Sequence, residues 1–82
     1  MGDDWKYIVF DLMESPTVVL FPPHVSHADM AHRFRPIKPL SAGFVQWDDS
    51  RREFACYGRS DSLGLGSAEE DSFYVNRVMP RG

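Results

Sequence analysis

The chain has 82 residues, a formal net charge of −3 and one cysteine. This length allows one hydrophobic core, so residues 1–82 are predicted to form a single domain. The mild acidity excludes a protein that binds nucleic acid mainly by charge, and it is too slight for a mimic of DNA. One cysteine cannot form an intramolecular disulfide, which favours a reducing, cytoplasmic compartment.

The N-terminus predicts neither export nor membrane association. Its first residues, Met1-Gly2-Asp3-Asp4, are acidic where a secretory signal peptide carries positive charge. The longest apolar run is far shorter than the roughly 18 residues that suggest a membrane-spanning helix. Lys6 stands where an N-myristoylation motif has serine or threonine, so Gly2 is not expected to be modified.

The first elements predicted along the chain form a β-hairpin. Residues Trp5 to Met13 place apolar side chains on both faces of a strand. Such a strand requires cover on two sides, either from a helix and a second sheet or from a partner subunit. Glu14-Ser15-Pro16 is typical of a turn, and a second strand over Thr17 to Phe21 ends at Pro22 and Pro23.

A change of period after these prolines predicts a short helix over residues 27–34. Ser26 followed by Asp29 is a variant of the capping box, and Val25 with Met30 fits a hydrophobic staple. Pro36 ends the helix because the residue before a proline avoids helical angles. Residues 35–41 are then predicted to be an extended connector.

The second half of the chain predicts another hairpin and a helix. Residues 43–48 and 53–57 resemble strands joined by a polar loop of four or five residues, Asp48 to Arg52. Residues 58–66 resemble turns, although Leu63 and Leu65 permit a brief strand. Ser67 and Glu70 predict a capping box for a helix over 68–79 that ends at Pro80, with a strand through residues 73–75 as the alternative.

Together these elements predict an α+β fold, a small antiparallel sheet of two β-hairpins with a short helix between them and a C-terminal helix. On that helix Tyr74, Val75, Val78 and Met79 share one apolar stripe. The stripe predicts that the helix packs on the sheet.

Three histidines lie close together in the sequence, at positions 24, 27 and 32, with Asp29 among them. These residue types bind zinc, but on a helix that begins at His27 the side chain of His32 points about 140° away. We therefore predict solvent-facing histidines and no metal site. Ser26, His27 and Asp29 lie within one helical turn, which is unsuitable for a catalytic triad.

No other motif predicts catalysis or a cofactor. Cys56 lies in the middle of a predicted strand, where a free cysteine is usually a small buried hydrophobe and not a nucleophile. The loop Gly64-Leu65-Gly66-Ser67 lacks the lysine of a P-loop, and the acidic residues 69–71 after it would repel an anion. The chain is therefore not expected to be an enzyme.

Residues 32–38 interleave basic and aromatic side chains, a composition that single-strand nucleic-acid binders use. A solvated helix end explains the same composition, and nucleic-acid binding is not the leading expectation. It remains the alternative function, in which the chain binds nucleic acid or a phosphate ligand weakly. The residues that would carry it are Arg33, Arg35, Lys38 and Arg59, provided that they converge on one surface.

At Ser41-Ala42-Gly43-Phe44-Val45 and at residues 58–67 (GRSDSLGLGS) the chain resembles short uncharacterised proteins of bacteria and their prophages. The resemblance covers about half of the chain. It implies a small cytoplasmic domain and carries no site residue with it.

The leading hypothesis is a non-enzymatic protein-interaction module that binds a protein partner or a second copy of itself. Hydrophobic residues make up 43% of the chain and aromatic residues 13%. This is more apolar surface than one face of so small a sheet can bury, so part of it is available to a partner. A homodimer is one form that such a module would take.

Overall fold

The computed structural model describes residues 4–79, and a four-stranded antiparallel sheet forms its centre. The strands are β1 (Trp5–Asp11), β2 (Pro16–Phe21), β3 (Pro39–Asp48) and β4 (Glu53–Tyr57), in the order β2-β1-β3-β4. Helix α1 (His27–Arg33) connects the two hairpins, and helix α2 (Asp71–Val78) ends the described chain. Two short strands, β5 (Arg59–Ser60) and β6 (Leu65–Gly66), form a separate small sheet. The predicted α+β fold is confirmed.

Strand β1 is central, and the chain itself covers both of its faces. Tyr7 and Val9 pack with Val45 and Val75 under α2. Ile8 on the opposite face packs in a second cluster, together with Phe10, Phe21 and Ala42, against residues of α1, of the following turn and of the β5–β6 hairpin. The cover that the two apolar faces require therefore comes from both helices, and no partner subunit is needed for it.

Helix α1 begins where the sequence predicts. The Ser26 hydroxyl accepts a hydrogen bond from the Asp29 amide at 3.0 Å, as a capping residue does. Helix α2 begins at Asp71, three residues later than predicted, and the expected capping box of Ser67 and Glu70 is wrong. The Asp71 carboxylate instead accepts a hydrogen bond from the Ala68 amide at 2.8 Å. Its predicted stop, Pro80, and residues 1–3 lie outside the described residues.

The predicted extended connector over residues 35–41 is wrong. The chain first turns, with the Ile37 amide donating to the Phe34 carbonyl at 2.9 Å, and β3 then begins at Pro39. A proline is tolerated as the first residue of a strand. The next hairpin pairs β3 with β4 as predicted, but its first strand begins at Pro39 and not at Gly43. In its loop the Asp48 carboxylate accepts a hydrogen bond from the Ser50 amide at 3.1 Å.

Candidate functional site

The two outer strands of the sheet differ in what covers their edges. At β4 the Phe54 amide donates to the Asn76 side-chain oxygen at 2.9 Å, and the Asn76 amide group donates back to the Phe54 carbonyl at 2.8 Å. The Cys56 amide donates to the Ser72 hydroxyl at 2.9 Å. Side chains of α2 thus occupy the positions that a further strand would take, and β4 is closed to strand pairing.

The alternation of hydrogen bonds across the sheet determines which groups of β2 face outward. Phe54 and Cys56 of β4 direct their N–H groups to α2 and therefore away from β3. Trp47 and Val45 lie opposite them on β3 in pairs without mutual hydrogen bonds, so the backbone groups of Trp47 and Val45 face β1. Val45 pairs with Trp5, and alternate residues of β1 therefore bond to β3. The remaining residues of β1, at positions 6, 8 and 10, bond to β2.

Val18 and Leu20 therefore carry the outward-facing backbone groups of β2. They lie opposite Val9 and Tyr7, whose own N–H and C=O groups are directed to β3. The Asp11 amide agrees with this alternation, since it donates to the Lys38 carbonyl at 2.8 Å on the β3 side. Within residues 4–79 no hydrogen bond reaches the outward groups of Val18 and Leu20.

Prolines bound this stretch at both ends. The next outward positions are Pro16 and Pro22, which have no N–H to donate. The Pro22 carbonyl is already used, because it accepts from the Val25 amide at 3.1 Å. We call the backbone N–H and C=O groups of Val18 and Leu20 the open edge. Charged side chains usually protect such an edge from pairing with another strand. Residues 16–21 carry none.

Apolar side chains lie at one end of the open edge. Leu12 and Met13, in the turn before β2, and Val78, near the end of α2, are exposed. A small cleft of about 230 Å³ lies between the start of β2 and α2, with Val18, Tyr74 and Val78 in its walls. The surface around the open edge is therefore recessed on the side of α2, and polar side chains, Arg77 among them, line the recess together with the apolar ones.

A buried carboxylate lies under the start of α2. Asp71 is 1% exposed and accepts hydrogen bonds from the Tyr7 hydroxyl, from the Ser41 hydroxyl at 3.0 Å and from the Ala68 amide. Burial raises the pKa of Tyr7 far above its ordinary value, and the neighbouring Asp71 carboxylate, the second largest cause, raises it further. Burial also raises the pKa of Cys56 to about 11. At neutral pH both groups keep their protons, and the network connects α2 to β1 and β3.

His27 is buried, so the prediction that it faces solvent is wrong. Its Nε2 donates to the Gly43 carbonyl at 2.9 Å, and its ring lies edge-on to Phe21 and Phe44. The first position of α1 faces the sheet, and a histidine there can satisfy a buried carbonyl. His24 and His32 are exposed as predicted. In the part of the chain from residue 4 to 79, no three potential metal ligands of the His, Cys, Asp or Glu types lie together.

The burial of His27 predicts a dependence of stability on pH. Burial lowers its pKa below the ordinary 6.5, so the unfolded chain takes up this proton at a higher pH than the folded protein does. The free energy of unfolding should therefore fall as the pH drops below 6.5, by up to about 1.4 kcal/mol per pH unit. His27→Gln keeps a side-chain donor for Gly43 and should lose this component.

Urea unfolding of both proteins between about pH 7.5 and about pH 5 measures the difference. Replacing the exposed His24 by glutamine is the matched control and should leave the pH dependence of the parent unchanged. An equal pH dependence in the parent and in His27→Gln would contradict the assignment to His27.

The four basic residues singled out from the sequence do not all belong to one site. Arg35 and Lys38 line a larger cleft beside α1. Arg33 lies at the end of the same helix but is not among the residues of that cleft. Arg59 is on β5, where its side chain lies 3.3 Å from the Asp61 carboxylate in an exposed ion pair.

Comparison of the chain with protein-family models, with curated proteins and with solved structures gives no match in any of the three. Neither helix of the described residues is long and apolar enough to cross a membrane.

Proposed function

We propose that this protein is a non-enzymatic interaction module that self-associates by pairing the open edge of β2 with the open edge of a second copy. The observation that carries the proposal is the contrast between the two edges of one sheet. Polar side chains of α2 close β4, whereas Val18 and Leu20 on β2 keep unpaired backbone donors and acceptors on an uncharged strand. The resemblance of residues 41–45 and 58–67 supports a cytoplasmic accessory protein of bacteria or their prophages.

The open edge takes the place of the sheet face that the sequence offered to a partner. The sequence suggested that β1 needs a partner on one face, but both faces of β1 are buried within the chain. An exposed strand edge without charges is a template for another strand. The proposal therefore assigns the interaction to backbone pairing along β2 and not to a sheet face.

The prolines select one register for the pair of β2 strands. With a two-fold axis at Val19, Val18 of each copy lies opposite Leu20 of the other, and every outward N–H and C=O of these residues is paired. A shift that places Leu20 opposite Pro16 leaves the Leu20 carbonyl without a donor. The opposite shift places Val18 opposite Pro22 and leaves the Val18 carbonyl without a donor. The register centred on Val19 is therefore favoured.

The side chains are compatible with this pairing. The strand has no charge to repel its copy, and Val18 and Leu20 of both copies would extend the apolar layer under α2. The small cleft beside Val18 lies on the same face, has Arg77 among its lining residues, and offers room for side chains of the second copy. Two paired residues per strand make a short contact, so we expect association in the micromolar range and not a permanent dimer.

Replacing Val18 by proline tests the role of the outward N–H. Proline removes this donor while sparing the bonds to β1, because the N–H of Val18 does not point to β1. In sedimentation equilibrium from low to high micromolar concentration, the parent should show a monomer–dimer equilibrium and Val18→Pro a monomer. Val18→Thr keeps the N–H and the branched shape and should still dimerise. Circular dichroism confirms that each variant is folded.

A cross-linking experiment tests the register independently of the proline variant. In the Cys56→Ser background, Val19→Cys places two thiols across the two-fold axis in a non-hydrogen-bonded pair, where the Cα atoms are about 4.5 Å apart and can form a disulfide. Thr17→Cys places them about 13 Å apart and is the control. Mild oxidation should yield a covalent dimer only with Val19→Cys. A parent that is monomeric at every concentration, or equal cross-linking at both positions, overturns the proposal.

A further inference from the structure

A cleft lies beside α1, on the face of the sheet opposite α2. Its volume is about 590 Å³, within the range of about 300–1,000 Å³ typical of sites for small molecules. One side is the helix, where Ala28 and Ala31 leave a shallow recess because neither side chain extends beyond Cβ. Ile37 from the turn and Leu63 from the β5–β6 hairpin complete an apolar wall. We call this recess the basic cleft.

The charge of the basic cleft is opposite to that of the chain. Carboxylates outnumber Lys and Arg by twelve to nine in the sequence, yet none lines the cleft within residues 4–79. The polar side chains that do line it are His32, Arg35 and Lys38. Positions 28, 31 and 32 share one face of α1, and Arg35 lies in the turn that follows the helix, beside the recess that the two alanines leave open.

Arg35 and Lys38 stand at two sides of the apolar wall. They flank Pro36 and Ile37 in the turn after α1, and both side chains are exposed. The Arg35 guanidinium lies 3.5 Å from Nδ1 of His32, and neither Arg35 nor Lys38 forms an ion pair with a carboxylate of the described chain. A guanidinium binds phosphate or carboxylate through two parallel hydrogen bonds, and a lysine adds a point charge.

We propose that the basic cleft binds a small organic anion, in which a phosphate or carboxylate group is joined to an aryl or short acyl body. The anionic group would contact Arg35 and Lys38, and the apolar body would lie on Ala28, Ala31, Ile37 and Leu63. This site uses two of the four basic residues that the sequence singled out and excludes Arg33 and Arg59. It lies apart from the open edge, so it stands or falls independently of self-association.

Four probes separate the chemical contributions. Phenyl phosphate and benzoate carry both an anion and an aryl ring, inorganic phosphate carries the anion alone, and benzyl alcohol carries the ring alone. Titration of each, followed by amide chemical shifts in solution NMR, should show saturable shifts at Ala28, Ala31, Ile37 and Leu63 with the first two. Inorganic phosphate and benzyl alcohol should bind at least about tenfold more weakly, because each lacks one half of the contact. The stronger of the two aryl anions identifies the preferred acidic group.

Three variants test the assignment of residues. Arg35→Gln should weaken phenyl phosphate binding about tenfold or more, because a charge-assisted bidentate contact is lost. Ala28→Leu fills the recess without changing the charge and should also reduce binding about tenfold. Arg33→Gln removes the same charge from the same helix but outside the cleft, and its affinity should stay within about twofold of the parent.

Any of three results overturns the proposal. The first is the absence of saturable shifts with both aryl anions. The second is equal weakening by Arg33→Gln and Arg35→Gln, which indicates attraction by overall charge and not a site. The third is a clear preference for single-stranded oligonucleotide over phenyl phosphate, which would assign these basic residues to nucleic acid. Far-ultraviolet circular dichroism confirms that each variant keeps the parent fold.

Discussion

Replacing Asp71 by alanine should lower the free energy of unfolding by about 3–5 kcal/mol. The Asp71 carboxylate is the shared acceptor for the Tyr7 hydroxyl, the Ser41 hydroxyl and the Ala68 amide. Tyr7 is fully buried, so its hydroxyl would lose its partner where water cannot replace it. A chain of this size is expected to be stable by only about 4–12 kcal/mol, so the variant should lose a large share of its free energy of unfolding.

Urea denaturation followed by circular dichroism measures this loss. Asp61→Ala is the matched control, because Asp61 is exposed and its ion pair with Arg59 should contribute less than about 1 kcal/mol. Asp71→Asn keeps one acceptor oxygen and should have an intermediate effect. Asp71→Asn and Tyr7→Phe, measured singly and together, form a double-mutant cycle that gives the coupling energy between the Asp71 carboxylate and the Tyr7 hydroxyl. If Asp71→Ala costs no more than Asp61→Ala, the buried network does not stabilise the fold.

Replacing Gly43 by alanine should destabilise the protein by about 3 kcal/mol, as overpacking of a buried site does. A Cβ atom on Gly43 would lie 2.5 Å from the Tyr57 carbonyl oxygen and 3.3 Å from the Tyr7 ring. The first contact is with backbone of the neighbouring strand β4, which cannot rotate away as a side chain could. Separating β3 from β4 would also disturb the carbonyl of Gly43, which accepts the hydrogen bond of His27.

Gly66→Ala is the control for the Gly43 variant. A Cβ atom at Gly66 would meet its nearest atoms at 3.8 and 3.9 Å, which are ordinary van der Waals distances. This variant should stay within about 1 kcal/mol of the parent in the same urea experiment. Equal stability of the two alanine variants would contradict the close approach of β3 and β4 at Gly43.

The predictions at Asp71 and Gly43 concern the closed side of the sheet, and the proposed interaction uses the other side. At β4, Ser72 and Asn76 of α2 form hydrogen bonds with outward backbone groups of Phe54 and Cys56, and the same helix begins at the buried Asp71. A loss of the Asp71 network should therefore free β4 for strand pairing as well. Pairing is restricted to β2 because α2 covers the edge of β4 and leaves the edge of β2 uncovered.

Much of the local structure follows from the sequence by itself. The two apolar faces of β1, the polar hairpin loop after Asp48 and the cap at Ser26 depend on residues within a few positions of one another, and all three are found. Alternation, turn composition and capping are interactions of short range, so they can be read before the fold is known.

Only the tertiary structure decided the features on which the proposals rest. Asp71 is buried with donors supplied by Tyr7 and Ser41, which are distant from it in the chain. The open edge of β2 follows from the strand order and from the closure of β4 by α2. The basic cleft exists because the β5–β6 hairpin brings Leu63 to α1. Each of these depends on which segments become neighbours, and spacing along the chain does not determine that.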